Sequence, residues 1–335
     1  MKRLSVIVLP LVFSACSLIY DDLSVCGEPL VINYQLQLRT ELSTQLQTEF
    51  SADTDSAVHE ALKGWLAPVF TDKAKDIDLH FFSQETDLIS RRIQDVLNAN
   101  STSYTINLPK MNYMHLALAN IADNDQMYLA DNTHSATMRL NLQDKKVLSP
   151  LNTGVLTARL PMAVDDSAQQ FSVYLYMVNA AVALVIDTTA CDSLVSMSGT
   201  MNDGACGFSV RDSVYSYERL CSFTLENIPV ADAHTSKHAM PARRTEETEE
   251  APVCLATVGM PTRDDMPWTM TVVSSMQDNR QAVNTITVDE PLKAGTLRII
   301  RLKTEPDGKL VEVGQEVGIS ITVDWKDGSE HEIEI

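Results

Sequence analysis

The sequence predicts a mainly β protein made of two tandem β-sandwich domains, with a short helix in the first. Three observations carry that expectation. The chain has 335 residues, which at roughly 100 to 200 residues per domain gives two. Hydrophobic residues make up 44% and charged residues 21%, enough apolar material for packed cores and not the composition of a disordered chain. From Leu30 onward, short alternating or continuous apolar segments are separated by turn residues, and only one stretch has helical spacing.

Leu30 to Leu38 reads LVINYQLQL, with Leu30, Ile32, Tyr34, Leu36 and Leu38 on one face and Val31, Asn33, Gln35 and Gln37 on the other. That is the period-two pattern of a half-buried strand. A helix capped by Asp53 or Asp55 is expected to run to about Ala67, because Ala57, Val58, Ala61, Leu62 and Trp65 share a face and Pro68 stops it. Strands are expected at Ile77 to Phe82, Leu88 to Ile93, Tyr104 to Leu108, Tyr113 to Ala119 and Ala136 to Leu142. Turn residues gathered between Ser149 and Pro161 mark a junction, giving domains over 27–155 and 156–335. The second opens with the apolar run Phe171 to Asp187, read as one long strand or a hairpin about Asn179-Ala180. Strands follow at Leu194 to Ser198, Gly207 to Arg211, Ser222 to Glu226, Val253 to Val258, Thr269 to Ser275, Ala282 to Val288 and Thr296 to Lys303. The polar stretch between Pro229 and Pro252 reads as an exposed loop. A closing hairpin joins Val317 to Trp325 with Glu330 to Ile335 through Lys326-Asp327-Gly328.

Lys2-Arg3, the apolar run Leu4 to Phe13 and Ser14-Ala15-Cys16 have the layout of a signal peptide over residues 1–15. The run is about half the ~20 residues that span a bilayer. Small residues directly before a cysteine resemble a bacterial lipobox, so Cys16 is the expected lipidation site and 16–26 a tether; the alternative is an ordinary signal peptide. Losing Lys2 and Arg3 takes the net charge from −19 to −21. So acidic a chain argues against nucleic-acid binding by phosphate neutralisation. It is also repelled by an anionic membrane, which leaves the lipid as its attachment.

The order of several segments resembles the fimbrial anchor family of Bacteroidales, the fimbrillin-associated FimB type. The segments are the lipobox cysteine with SLIYDDLSVC after it, the helix ending in Trp65, the stretch Phe81 to Arg92 ending in LISRR, YTINLPKMNYMHLALANI at Tyr104 to Ile121, and the closing VDWKDGSEHEIEI at Val323 to Ile335. The resemblance implies two transthyretin-like sandwiches of Greek-key type, a lipid on Cys16 holding the base of a fimbrium in the outer membrane, and fimbrial shaft subunits (fimbrillins) as partners. It also implies a structural role that limits fimbrium length. Stalk and tip subunits of the same superfamily lose their first strand to a trypsin-like cut, for which Arg39 is the matching position here; an anchor keeps that strand.

Enzyme signatures are missing. There is no G-x-S-x-G, G-x-x-x-x-G-K, H-E-x-x-H or C-x-x-C. No catalysis, cofactor, metal or small-molecule substrate is expected. His234 and His238 stand four apart but lie in the polar loop with no acid or cysteine at ligand spacing. His80 and His115 lie in expected strands, where packing or a single hydrogen bond accounts for them. With Cys16 given to lipid, Cys26, Cys191, Cys206, Cys221 and Cys254 remain, an odd number. Cys191 with Cys206, Cys221 with Cys254, and no bond at all stay open. Asp followed by Ser or Thr and an apolar residue, as at Asp55, Asp166, Asp192 and Asp212, resembles an O-glycosylation pattern that also arises readily by chance.

The expected mechanism is β-strand addition, with the closing segment as donor: Val317, Ile319, Ile321, Val323, Trp325, Ile333 and Ile335 would supply the apolar teeth. The alternative is that the segment completes its own sandwich. Two rival functions remain: a stalk or tip adhesin subunit, and a glycan-binding surface lipoprotein. The second calls for exposed aromatic platforms, whereas the three tryptophans, at 65, 268 and 325, are expected in the core.

Overall fold

The computed structural model describes residues 30–39, 46, 56–70, 74–96, 103–143, 145–165, 169–230, 251–314 and 318–326. The first half contains β1 (Leu30–Arg39), α1 (Ser56–Leu66), β2 (Asp76–Ser83), β3 (Ile89–Val96), β4 (Ser103–Leu108), β5 (Asn112–Ala119), β6 (Met127–Asp131), β7 (Thr137–Leu140), β8 (Val147–Leu148), β9 (Leu156–Ala163) and β10 (Gln170–Met177). The second contains β11 (Ala180–Asp187), β12 (Leu194–Gly204), β13 (Gly207–Ser209), β14 (Val214–Ser216), β15 (Cys221–Ile228), β16 (Val253–Gly259), β17 (Trp268–Met276), β18 (Gln281–Val288), β19 (Leu297–Thr304), β20 (Leu310–Glu312) and β21 (Ile319–Lys326).

The two halves repeat one plan. In the first, β3-β2-β5-β9 form an antiparallel run, and β1 lies between antiparallel β4 and parallel β10. In the second, β15-β12-β17-β18 form the run, and β11 lies between antiparallel β16 and parallel β19. Counting only these strands in each half, the third, second, fifth and sixth pair in one layer and the fourth, first and seventh in the other. This is a transthyretin-like sandwich made twice. Strands β20 and β21 follow as additions, β20 pairing β19 and β21 pairing β18.

Each half also lends a piece to the other. The insertion between β5 and β9 carries β6, β7 and β8, and the insertion between β12 and β15 carries β13 and β14. Together they form the sheet β14-β13-β7-β6, with Phe208 opposite Met138 at the crossing. Strand β8 runs parallel to β15. Helix α1 turns Val58, Leu62 and Leu66 inward at i, i+4 and i+8. They join Leu116 and Leu118 of β5 and Ala181, Ala183, Phe223 and Val258 of the second half in one core. Separate cores fill the two sandwiches.

The run from Phe171 to Asp187 is neither one strand nor a hairpin. Strand β10 closes the first sheet and β11 opens the second, so the chain changes sheets at Val178-Asn179. Buried Asn179 fixes the crossing: its Oδ1 accepts from Val155 N at 2.7 Å and its carbonyl from Gly295 N at 2.8 Å. Around the expected division at 155/156, the turn-rich stretch contains β9, which pairs with β5 from Leu156 to Ala163 despite Pro161. Beside β10 it pairs only at Leu156 and Thr157. Beyond them β9 has no ladder partner on that side among the described residues, an edge position where proline is tolerated.

Gly154 lies hard against backbone. A Cβ there would stand 2.0 Å from the Val69 carbonyl oxygen just beyond α1. Because the obstacle is backbone, Gly154→Ala should cost about 1–3 kcal/mol, read as a lowered thermal midpoint with an unchanged far-UV spectrum.

Candidate functional site

Strand β1 is the element on which the choice of function turns. Asn33 to Arg39 run parallel to Gln170 to Tyr176, and Leu30 to Gln35 run antiparallel to Leu108 to Ser103. Both of its edges are therefore used. Ile32, Tyr34 and Leu36 point into the sandwich and are each 1% exposed, worth roughly 1.5–3 kcal/mol apiece.

A polar lock sits among them. The Tyr34 hydroxyl donates to Nε2 of His115 at 2.6 Å, and Nδ1 of His115 donates to the His80 carbonyl at 2.9 Å. The two bonds fix a neutral imidazole protonated on Nδ1. Its ring stacks on Phe81 at 4.3 Å and meets the Tyr34 ring edge-on at 5.3 Å. Burial pushes its pKa down to about 4. On the opposite face of β2, Asp78 accepts from Arg92 Nε at 2.8 Å and from Gln94 Nε2 at 3.0 Å. Its Oδ1 also lies 2.9 Å from His80 Nε2, off the direction of a well-made hydrogen bond. Burial alone would raise this carboxyl; the hydrogen bonds and charge of Arg92, with the His80 ring close by, outweigh it and bring the pKa to about 2.

Arg39 is the last paired residue of β1, in register with Tyr176. Cys16, Val317, Ile333 and Ile335 lie outside the described residues, as do Cys26, His234 and His238. Ile319, Ile321, Val323 and Trp325 lie on β21, which pairs with β18 from Val288 opposite Ile319 to Gln281 opposite Lys326. The first three are half-buried against the second sandwich, but Trp325 is 45% exposed. It is not the core residue that the sequence suggested, because β21 is added outside the seven-strand plan and is paired only with β18 among the described residues. Trp268 is buried, and Trp65 is partly buried with its Nε1 donating to Glu226 at 3.2 Å.

Of the alternatives left open for the cysteines, the structure shows no bond: Cys191, Cys206, Cys221 and Cys254 are free. The strands keep them apart. Cys221 starts β15 and Cys254 pairs with Ile228 at its other end, about 20 Å away at strand rise. Cys191 and Cys206 flank the two ends of β12. A disulfide needs Cα atoms within about 7 Å. Burial pushes the Cys221 and Cys254 thiols up to about 11 and about 12, away from reactive thiolates. Among the described residues, no three His, Cys, Asp or Glu side chains cluster at metal-binding distance.

The lock was invisible in sequence, since Tyr34 and His115 are 81 positions apart; only their inward phase in two alternating strands hinted that they face one interior. Tyr34→Phe should leave a buried acceptor unpaired and cost about 1–3 kcal/mol, measured by denaturant unfolding. His115 has a lower pKa folded than the ordinary histidine value of 6.5, so the unfolded chain takes up its proton first. Stability is full above pH 6.5 and falls as the pH drops towards 4. A fluorescence-monitored pH series should show that loss, and His115→Gln should flatten it.

No protein-family model matches the chain, and no curated protein matches it in sequence. Solved structures do match in shape. A candidate adhesin from Bacteroides thetaiotaomicron superposes with a TM-score of 0.55 at 10% identity, covering 90% of this chain and 97% of its own. The fimbrial anchor protein Mfa2 from Porphyromonas gingivalis gives 0.51 at 11%, covering 88% and 97%. A protein described as a candidate polysaccharide-binding protein from B. thetaiotaomicron gives 0.50 at 8%, covering 88% and 95%. At such identities the likeness is one of fold: over nearly its whole length the chain shares the two-sandwich architecture of these bacterial adhesin-like and fimbrial anchor proteins.

Proposed function

We propose that the chain is a lipid-anchored fimbrial anchor or minor subunit, tied to the outer membrane through Cys16 and bound to shaft subunits by strand addition. It has no catalytic step. The observation that carries this reading is the occupied groove: β1 is paired on both edges, buried along one face and tied to His115 by Tyr34. An uncut polymerising subunit would hold β1 in the same way and give up those contacts on a cut at Arg39, whereas an anchor keeps them, so the N-terminus of the mature protein separates the two. The fold shared with a fimbrial anchor protein and with a candidate adhesin supports a fimbria-associated role.

The donor strand is the closing segment. Strand β21 lies outside the repeated seven-strand plan, so its departure breaks its ladder with β18 and uncovers what Ile319, Ile321 and Val323 pack on, but removes no strand of that plan. Intact mass and N-terminal analysis of the surface protein should find a blocked Cys16; a start at Thr40 would instead assign a stalk or tip subunit. Deleting Gly328 to Ile335 should release fimbriae from cells into the medium. Unchanged retention by a folded deletion variant rules the donor role out.

A further inference from the structure

The layer β4-β1-β10 has one face in the first sandwich core and the other turned outward. From β1 the outward positions bring Asn33, Gln35 and Gln37, and from β10 Ser172, Tyr174 and Tyr176, all exposed or half-buried. Strand β4 adds Ser103 and Thr105 at the register of Gln35 and Asn33. In a chain with 45 acidic and 26 basic residues, these outward rows carry no carboxylate, ammonium or guanidinium from Asn33 to Gln37 on β1 or along β4 and β10.

Two clefts open on this face. One, of about 430 Å³, is lined by Asn33, Gln35, Ser103, Thr105 and Gln170 together with Tyr34 and Tyr104 of the inner rows. The other, of about 380 Å³, lies where the first sandwich meets the shared sheet and is lined by Tyr174, Tyr176, Phe208, Tyr215 and Arg159 among others. Tyr176 is 56% exposed and Tyr174 36%. Standing two residues apart on one strand, they are spaced about 6.6 Å along it, on the scale of one sugar ring.

We propose that this face binds a neutral oligosaccharide. Sugar hydroxyls are donors and acceptors at once, and the carboxamides of Asn33, Gln35 and Gln37 offer both functions side by side. Tyrosine presents an apolar ring for the C–H face of a pyranose and a hydroxyl for its edge. These rows carry no carboxylate and match an uncharged ligand; Arg159 lines the second cleft and Arg39 pairs opposite Tyr176, so the anionic gel decides the charge of the ligand. A protein partner fits less well, because interface centres concentrate aromatic, Met and Arg side chains, whereas most of this surface is amide and hydroxyl with Val31 as its exposed aliphatic residue. The proposal rests on the anchor reading in one respect: the amide row leaves with β1 if the chain is cut at Arg39.

The test is affinity electrophoresis of the purified full chain through gels containing mannan, dextran, galactan or xyloglucan, with polygalacturonate as the anionic comparison. At least one neutral polysaccharide should retard the protein. Tyr174→Ala with Tyr176→Ala should weaken retardation at least tenfold with the thermal midpoint unchanged, and Ser172→Glu should do the same. Tyr128→Ala, at an exposed residue on β6, should leave it as it was. No retardation by any neutral gel, retardation by polygalacturonate alone, or retardation that survives the double variant overturns the proposal. So does loss of self-association in the double variant, seen by sedimentation, without any glycan effect. The N-terminus is read on the same sample. Failure to bind with β1 present sinks this proposal alone, a start at Thr40 sinks the anchor reading, and binding by such a shortened chain shows that the ligand sits elsewhere.

Discussion

Leu116 and Leu118 point out of the sandwich that Ala117 and Ala119 help to fill, and the relation of the two halves follows from how those leucines are covered. An apolar outer face on a sheet needs a second layer. Here the layer is assembled from α1, the insertion carrying β6 to β8, and strands of the second half. Because the insertion pairs with β13 and β15, the cover is hydrogen-bonded to the neighbouring sandwich as well as packed on it. Arg211, reaching Asp87 across the junction and lying 5.7 Å above the Phe82 ring, adds a smaller contribution because Asp87 is exposed. The β3-β2-β5-β9 layer is thereby consumed in joining the halves. Of the first sandwich, it is the β4-β1-β10 layer that stays open to solvent.

What the sequence made legible was whatever rests on local period. LVINYQLQL alternates because one face of β1 is buried and the other wet, and Val58, Leu62 and Leu66 repeat because one face of α1 is covered. What stayed hidden depended on partners. Strand β9 looks like a junction because Pro161 and its neighbours carry turn chemistry, and only the short β10 pairing explains why they sit in a strand. The apolar run before Asp187 shows no break at Val178-Asn179 because both flanking strands are buried, and the hydrogen bonds of Asn179 that turn the chain come from distant residues. Trp325 has the composition of a core residue but lies on a strand added outside the core. The exposed aromatic pair was missed for a related reason. In Gln170 to Met177, tyrosines at alternate positions read as part of one apolar run until the register shows which face they occupy.

Strand β1 therefore carries two chemistries at once, and the period of two keeps them separate. The inward row of Ile32, Tyr34 and Leu36 is what any strand filling that groove requires. Groove filling does not explain the outward row. A filler strand needs only solubility on its wet side, which Lys or Glu would supply and which this acidic chain has in abundance elsewhere. Amides have instead been placed at Asn33, Gln35 and Gln37, beside hydroxyls on β4 and tyrosines on β10. From Asn33 to Gln37 on β1 and along β4 and β10, three strands far apart in sequence, no charged side chain interrupts the amides and hydroxyls, and the row ends at Arg39 opposite Tyr176. On the proposal that β1 stays in the mature chain, its amide row and the tyrosines of β10 form one continuous surface, and the period of two lets the same strand fill the groove on its other side.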